Sequence, residues 1–499
     1  MSDHMDVADD AAFEPKVWDL GPETEYRFEL DPGMCLVIVV LRGNAEIFGA
    51  ELVEGKQHVF AGECKAAVYT WKGCSIEVTG RPSTEYTSDE TLPMTAYANL
   101  HIAFEQMRVK ALAHLRGSPI PDGPSRVTSE SPRVLVLGPE NSGKTSACKV
   151  LVNYAARSRM GWVPVLVNTD PREGGWAVPG AITAAPVAAP ITTPSASLPL
   201  GAAASSAPTI NPSNALLPLV YCYGHTDVQR NHLLLDRVIR NLGASVGDRF
   251  EANPEARSSG VVVDTPSTFA AGPANTASVR SKLIRACVDA FKINVILVIG
   301  HEKLNIEMQR TYGSQLTVVK IPKSGGVVEL DPSYRDRILN MQLHTYFYGE
   351  SFTPPPGLKL RSNAVYGGEA LSDLVLSPAS TTVGFEELAV WQIGEKSLAP
   401  SSALPVGATR TVSEMQPILI DPSKPGSGLL NAVLALLALP ADGDERERYD
   451  EEVLDLGVVG FLVVTAIDIP RRKMTILSPS PMVFAGRTAI RGSVEWQEQ

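Results

Sequence analysis

The run Gly138-Pro-Glu-Asn-Ser-Gly143-Lys144-Thr145 constrains this chain more than any other eight residues in it. It fills every fixed position of G-x-x-x-x-G-K-[ST]. It also lies between an apolar run, Arg133-Val-Leu-Val-Leu137, and a helix-like stretch, Lys144 to Arg157. Glycine at 138 and 143 lets the backbone turn without Cβ clashes. The N–H groups of the loop and the first helical turn, Asn141 through Ser146, then converge on an anion, aided by the positive end of the helix. Lys144 supplies a point charge for outer phosphates, and Thr145 places a hydroxyl on Mg²⁺. The motif implies ATP or a close relative as ligand. It does not say whether that nucleotide is hydrolysed, transferred or held.

Such a site needs a carboxylate at the end of another strand to help hold the metal. Val163-Pro-Val-Leu-Val-Asn-Thr-Asp170 places Asp170 at a strand's carboxyl end, and Asp264, after Val261-Val-Val263, is its rival. Aspartate favours strand-end turns in any case. Val163 to Val167, Val261 to Val263 and Val295 to Ile299 alternate with helix signals, the pattern of a parallel sheet covered by helices. Ala184 to Pro218, mostly Ala, Pro, Ser and Thr, reads as a flexible insertion with too little apolar surface to order itself.

Before this section the chain is β-rich. Tyr26 to Leu30, Cys35 to Leu41, Ala45 to Phe48, Ala66 to Trp71 and Ser75 to Val78 are short strands separated by glycines, which suggests a sandwich or barrel. Met94 to Arg116 reads as a helix, with Leu100, Phe104, Met107, Ala111 and Leu115 at helical spacing. After Gly349 the signals are again strand-like. Val458 to Ile467 is expected to pair with Lys473 to Leu477, and Leu429 to Leu439 reads as a short buried helix. Three domains are expected from 499 residues: 1–116 with the connecting helix, 117–349, and 350–499.

A net charge of −11 provides no global basic field to recruit nucleic acid, so any RNA contact needs a local patch or a partner's surface. None of the six cysteines falls in a C-x-x-C pair or at zinc spacing, and buried thiols in a reducing compartment are expected. The polar, acidic Met1 to Asp10 has no signal core, and no apolar stretch reaches the roughly 18 residues of a membrane span. An intracellular, membrane-free protein is expected.

Several blocks resemble one family: the polynucleotide 5′-hydroxyl kinases and, within it, the Clp subfamily, a eukaryotic and here fungal-looking subunit of the mRNA cleavage and polyadenylation machinery. The resemblance rests on Glu23-Thr-Glu-Tyr-Arg-Phe-Glu29, Gly43 to Leu52, Val68 to Cys74, the phosphate loop, Ile321-Pro-Lys-Ser-Gly-Gly-Val-Val-Glu329, and Gly460 to Asp468. It covers nearly the whole chain. It implies an N-terminal β-sandwich, a central P-loop domain and a small C-terminal α/β domain. It further implies that the first domain folds over the base of ATP, with Glu25 on the adenine side and Lys65 nearby. Its subunit binds a larger cleavage-factor protein that contacts RNA polymerase II, and other 3′-end processing factors, in the nucleus.

Active kinases of the family carry three further elements, and each is altered here. Asp-x-x-Gln becomes Asp170-Pro-Arg-Glu173. Thr-x-Gly-Trp becomes Thr265-Pro-Ser-Thr268, without the flat apolar face that packs on a nucleic-acid base or sugar. Of two lid arginines four apart, Arg335 remains and Leu339 takes the second place, while Arg337 is offset and reads as a surface charge. Such arginines stabilise charge on the transferring phosphoryl group. Asp170 and Arg335 are the residual catalytic candidates. The expectation is an ATP-binding scaffold subunit without efficient phosphoryl transfer. The alternative is an active RNA 5′-hydroxyl kinase. A generic NTPase is disfavoured by the family-specific N-terminal blocks.

Overall fold

The computed structural model describes residues 13–90, 93–119, 129–192, 195, 199–200, 218–272, 276–350, 354–355, 357–362, 364–366, 369–370, 374–393, 415–439 and 450–498. Three large sheet systems follow in chain order, with a two-stranded ladder of Gly349–Glu350 and Leu374–Val375 beside them. The first is a sandwich. Its alternating strand Thr24–Leu30 sends Tyr26, Phe28 and Leu30 into the core between the two sheets. The two-residue period then leaves Glu25, Arg27 and Glu29 on the opposite face.

The central sheet runs in the order Leu219–Cys222, Ala181–Pro186, Val165–Asn168, Val261–Asp264, Arg133–Leu137, Val295–Ile299, Thr317–Ile321. Its last five strands are parallel, and Ala181–Pro186 runs antiparallel to both of its neighbours, so the sheet is mixed but mostly parallel. Except at the edge strand Thr317–Ile321, the strands are largely buried on both faces. Val134, Val136, Leu166 and Val262 pack toward helices Met94–Leu115 and Lys144–Arg157. Leu135, Leu137, Val167 and Val263 pack toward helices His232–Ala252 and Ala277–Ala290. Burial on both sides makes continuous Val/Leu runs, which is why these strands are legible.

The third sheet is built on Val458–Asp468, paired antiparallel with Lys473–Ser478 and with Ala432–Leu437. Its helical part among the described residues is the 3₁₀ turn Asp450–Asp455. This sheet shares a core with the central unit through Val433, Phe461, Ile490 and Trp496. Backbones meet there at Gly224 and Gly492. A Cβ on Gly492 would lie 1.9 Å from Gly224 O, and Ser493 N donates to that carbonyl at 2.7 Å. Arg237 adds a bidentate pair with Asp455, at 2.6 Å from each oxygen.

Two expectations are corrected. Leu429 to Leu439 is not a helix: Ala432–Leu437 is a strand between two neighbours, with Val433 and Ala435 in one core and Leu434 and Leu436 in another. A short apolar run carries no period that separates the two conformations. The low-complexity stretch from Ala184 begins inside the strand Ala181–Pro186, where Ala184 and Ala185 are buried on opposite faces. Val187, Ile191 and Leu200 are buried too, and Asn153 fixes Ile191 by hydrogen bonds to both its N and its O. The rest of that stretch, 201–217, lies outside the described residues. Small side chains suit a strand pressed between two layers, so composition alone misleads.

The chain also returns to its beginning. Val365–Tyr366 adds a parallel strand beside Gln57–Ala61 of the sandwich. Arg361 N and Lys359 O hydrogen-bond the Gln57 side chain. All six cysteines are buried and unpaired. Among the described residues no helix is long and apolar enough to cross a membrane.

Candidate nucleotide site

The floor of the site is the phosphate loop. Arg133–Leu137 leads in and helix Lys144–Arg157 leads out, with Gly143 in a left-handed conformation (φ 84°) at the helix start. A Cβ on Gly138 would stand 2.5 Å from Ser142 Oγ and 3.2 Å from Ile299 O, so the loop closes tightly only with glycine there. Lys144 Nζ donates to Pro139 O at 3.0 Å. Thr145 Oγ1 donates to Asp264 Oδ2 at 2.6 Å and lies 3.3 Å from Glu173 Oε1. Ser142 Oγ is buried with no hydrogen-bond partner.

The carboxylates beneath the loop are electrostatically strained. Asp264 sits at the end of the strand next to the loop strand and is buried. Burial, then the charge of Glu173, pushes its carboxyl up to about 7. Asp170 is pushed up to about 7 by the same two causes. Its Oδ1 accepts from Arg172 N at 3.0 Å, whereas the Thr145 hydroxyl points to Asp264. The rival aspartate is thus the one that reaches the helix. Lys149, beside them and 4.4 Å from the centre of the Phe48 ring, is pulled down to about 8 by burial.

The roof is the outward face of the sandwich. Arg27 Nε donates to Glu25 Oε2 at 2.8 Å, and both residues are buried. Burial raises the Glu25 carboxyl, and Arg27 opposes that shift. Lys65 pairs with Glu29, its register neighbour on the adjacent strand. Tyr86 faces Arg27 across the other strand, ring to guanidinium at 5.8 Å.

The lid comes from Ser324 onward. Gly326 lies against Arg27, where a Cβ would stand 2.8 Å from Nε, so a larger residue there would displace the guanidinium. Helix Pro332–Tyr348 follows, capped by Asp331 through Tyr334 N. Arg337, expected at the surface, is outside the cavity, yet it reaches the sandwich: its Nη2 and Nε donate to Glu63 at 2.5 and 3.2 Å. Tyr334 Oη donates to Glu63 O from the same helix.

Floor, roof and lid enclose one cavity of about 430 Å³. Glu25, Lys65, Asn141, Ser142, Gly143, Lys144, Thr145, Ser146, Asp170 and Arg335 all line it, and Gly138 underlies it. Glu173 and Leu339 line it as well, so two of the three altered motif positions face the same space; Thr268 is not among the lining residues, although its neighbour Ser267 is. Three contributors carried no sequence signal. Arg27 pairs with Glu25 two residues away on a face that reads as solvated, and the arginine partner of Glu63 lies 274 positions away, with that of Glu140 likewise on the lid helix.

The residues fit a nucleotide triphosphate with a hard cation. Ser142 Oγ is a buried polar atom waiting for a partner, and the donor set is hydroxyl and carboxylate oxygen, which suits Mg²⁺. Among the described residues no group of three His, Cys, Asp or Glu is arranged to hold an ion alone. That suits a cation held by one or two carboxylates and substrate phosphates.

Comparison with known proteins gives three family matches along the chain. Residues 19–111 match the N-terminal β-sandwich domain of polyadenylation factor. Residues 138–349 match the P-loop of mRNA cleavage and polyadenylation factor CLP1, and 376–498 match the pre-mRNA cleavage complex II protein Clp1. The chain is 64% identical to mRNA cleavage and polyadenylation factor CLP1 of Laccaria bicolor, covering 97% of this chain and 99% of that protein. It is 33% identical to the CLP1 homolog of Nematostella vectensis, covering 99% and 100%. Its fold is similar to that of a solved Clp1p chain in complex with a Pcf11p segment, with a TM-score of 0.75, 24% identity, and 97% and 99% of the chains covered. A second structure, with the same values, is described as showing the extended Pcf11p–Clp1p interface and the basis of ATP loss in a glycine-to-arginine mutant.

Proposed function

The chain belongs to the CLP1 family of mRNA cleavage and polyadenylation factors, and from that premise we propose that it is an ATP-binding scaffold of the pre-mRNA cleavage factor complex, without efficient phosphoryl transfer. The observation that carries this reading is the cavity wall. Leu339 lines it where the resemblance expects a second arginine, while Lys144 and Thr145 keep the phosphate loop intact. Leucine offers no charge to a transferring phosphoryl group, and that charge is worth orders of magnitude in rate.

ATP lies between roof and floor in this reading, with Glu25 and Lys65 toward the base and residues 141–146 around the phosphates. Mg²⁺ is held by Thr145 with Asp264 or Asp170. A ligand at about 100 times its Kd stabilises the folded state by about 2.7 kcal/mol. One that touches two sheets and a lid fixes their orientation as well. Bound nucleotide then serves to present a surface.

That surface takes a larger cleavage-factor subunit that contacts RNA polymerase II, of the kind represented by Pcf11p in the similar complex. RNA contact is indirect, given the charge of −11, and the place of work is the nucleus. Retrieval of no 3′-end processing factor from nuclear extract would count against the scaffold.

Lys144, Thr145, Asp170 and Arg335 in one cavity support the alternative, an RNA 5′-hydroxyl kinase. Transfer from γ-labelled ATP to a 5′-hydroxyl RNA separates the two. The expected result is no label above a Lys144→Ala control, while the unaltered protein retains ATP. Clear transfer that Lys144→Ala abolishes overturns the scaffold reading.

A further inference from the structure

We propose that Glu140 is a positioning residue that holds Arg335 on the rim of the phosphate loop and withholds its guanidinium from the outer phosphates. This deepens the scaffold reading and rests on it: it supplies a second reason, besides Leu339, why the lid does not serve transfer.

A carboxylate inside an anion-binding loop works against the loop's own ligand unless it has another task. Glu140 is half-exposed, and its Oε1 forms an ion pair with Arg335 Nη2 at 2.9 Å. The same nitrogen donates to Asn141 Oδ1, also at 2.9 Å, and Arg335 Nε donates to Leu330 O at 3.2 Å. Arg335 is therefore gripped by two side chains of the loop and one carbonyl of its own lid. Arg172 lies 3.7 Å from the same Glu140 oxygen. One carboxylate thus gathers both arginines that flank the phosphate side.

Lys144 is engaged differently: its Nζ hydrogen-bonds the Pro139 carbonyl, and the Asp170 and Asp264 carboxylates act on it only through their charge. A neutral carbonyl yields to a phosphate more readily than a carboxylate does. Incoming phosphates therefore take Lys144 first, whereas Arg335 must leave an ion pair and an amide to join them. Its grip also serves the lid. Arg335 on Glu140 fastens the helix Pro332–Tyr348 to the floor at a point away from the Arg337–Glu63 contact with the roof.

Full-length protein, Glu140→Gln, Arg335→Gln and the double variant are titrated calorimetrically with ATP and with ADP in Mg²⁺. Glu140→Gln is expected to favour ATP over ADP by roughly three- to tenfold relative to the unaltered protein. The gain should vanish when Arg335 is also glutamine. Glu140→Asp keeps the charge but shortens the reach, and part of the gain should appear there too. An unchanged ATP:ADP ratio in Glu140→Gln overturns the proposal. So does an equal gain without Arg335, which would assign the effect to simple repulsion by Glu140. Failure of the unaltered protein to bind either nucleotide overturns this proposal and the scaffold reading together, whereas a bound but unshifted ratio overturns only this one.

Discussion

Thr145 and Asp264 meet at 2.6 Å, hydroxyl to carboxylate, across the gap between the loop's helix and the neighbouring strand. Hydroxyl and carboxylate held this way form the near half of a hard-cation site before any cation arrives. Asp170 shares the cavity but spends its Oδ1 on the backbone of Arg172.

Asp264→Asn should therefore weaken Mg²⁺-dependent ATP binding by roughly tenfold or more, in keeping with about 1.5–3 kcal/mol for a hydrogen bond to a charged group. Asp170→Asn should weaken it less. Titration with and without Mg²⁺ gives the ranking. A larger loss at Asp170 would return the metal role to the first-ranked carboxylate of the sequence.

The same aspartate sets a pH dependence. Its carboxyl stands at about 7 in the folded protein against an ordinary value of 3.8. The folded state then binds more protons than the unfolded one between these values, so stability falls as pH rises through that window. Without nucleotide, denaturant midpoints should drop from acid pH toward neutrality, and Asp264→Asn should flatten the slope. An equal slope in the variant would move the effect to other groups.

The lid and the roof are joined by Arg337 and Glu63, and this joint lies outside the cavity it closes. Glu63→Gln or Arg337→Gln should speed release of a fluorescent ATP analogue several-fold, with a much smaller change in its association rate. Exchanging the two charges should slow release again. Stopped-flow chase experiments read both rates. Unaltered release in both single variants would show that the lid opens without parting from the sandwich.

Two glycines should respond to alanine with opposite signs. Gly492 has Gly224 O at 1.9 Å from its would-be Cβ, whereas Gly247, within helix His232–Ala252, meets nothing within 4 Å. Gly492→Ala forces two backbones apart and should destabilise by about 1–3 kcal/mol. Gly247→Ala should stabilise by about 0.5–1 kcal/mol. Urea midpoints check both, and proteolysis should locate the first loss at the third sheet.

The phosphate loop, its strand and its helix were legible because local chemistry dictates them: glycine spacing, an apolar run before, a helical period after. Helix Lys144–Arg157 falls where the sequence put it. The roof was not legible from residues alone. Glu25 and Lys65 look like solvated strand positions, and only the family resemblance pointed to them. Glu25 is buried and Lys65 half-buried because a lid more than 250 residues later covers the sandwich face, as Gly326 covers Arg27. Ala184 and Leu434 were misread for a related reason. A strand enclosed on both faces loses the alternation that betrays a half-buried one.

The strand Val365–Tyr366, laid beside Gln57–Ala61, has a mechanical consequence. Besides its side-chain contacts, the sandwich is tied to the rest of the molecule twice by the backbone itself, through the helix Met94–Leu115 at its exit and through this returning strand. A body moored once swings freely. A body moored twice rocks about the line between its moorings, and a small rocking angle exposes little of what lies beneath. Whatever enters the cavity under such a roof is then expected to leave slowly, which would make residence time a property of chain threading as well as of contacts.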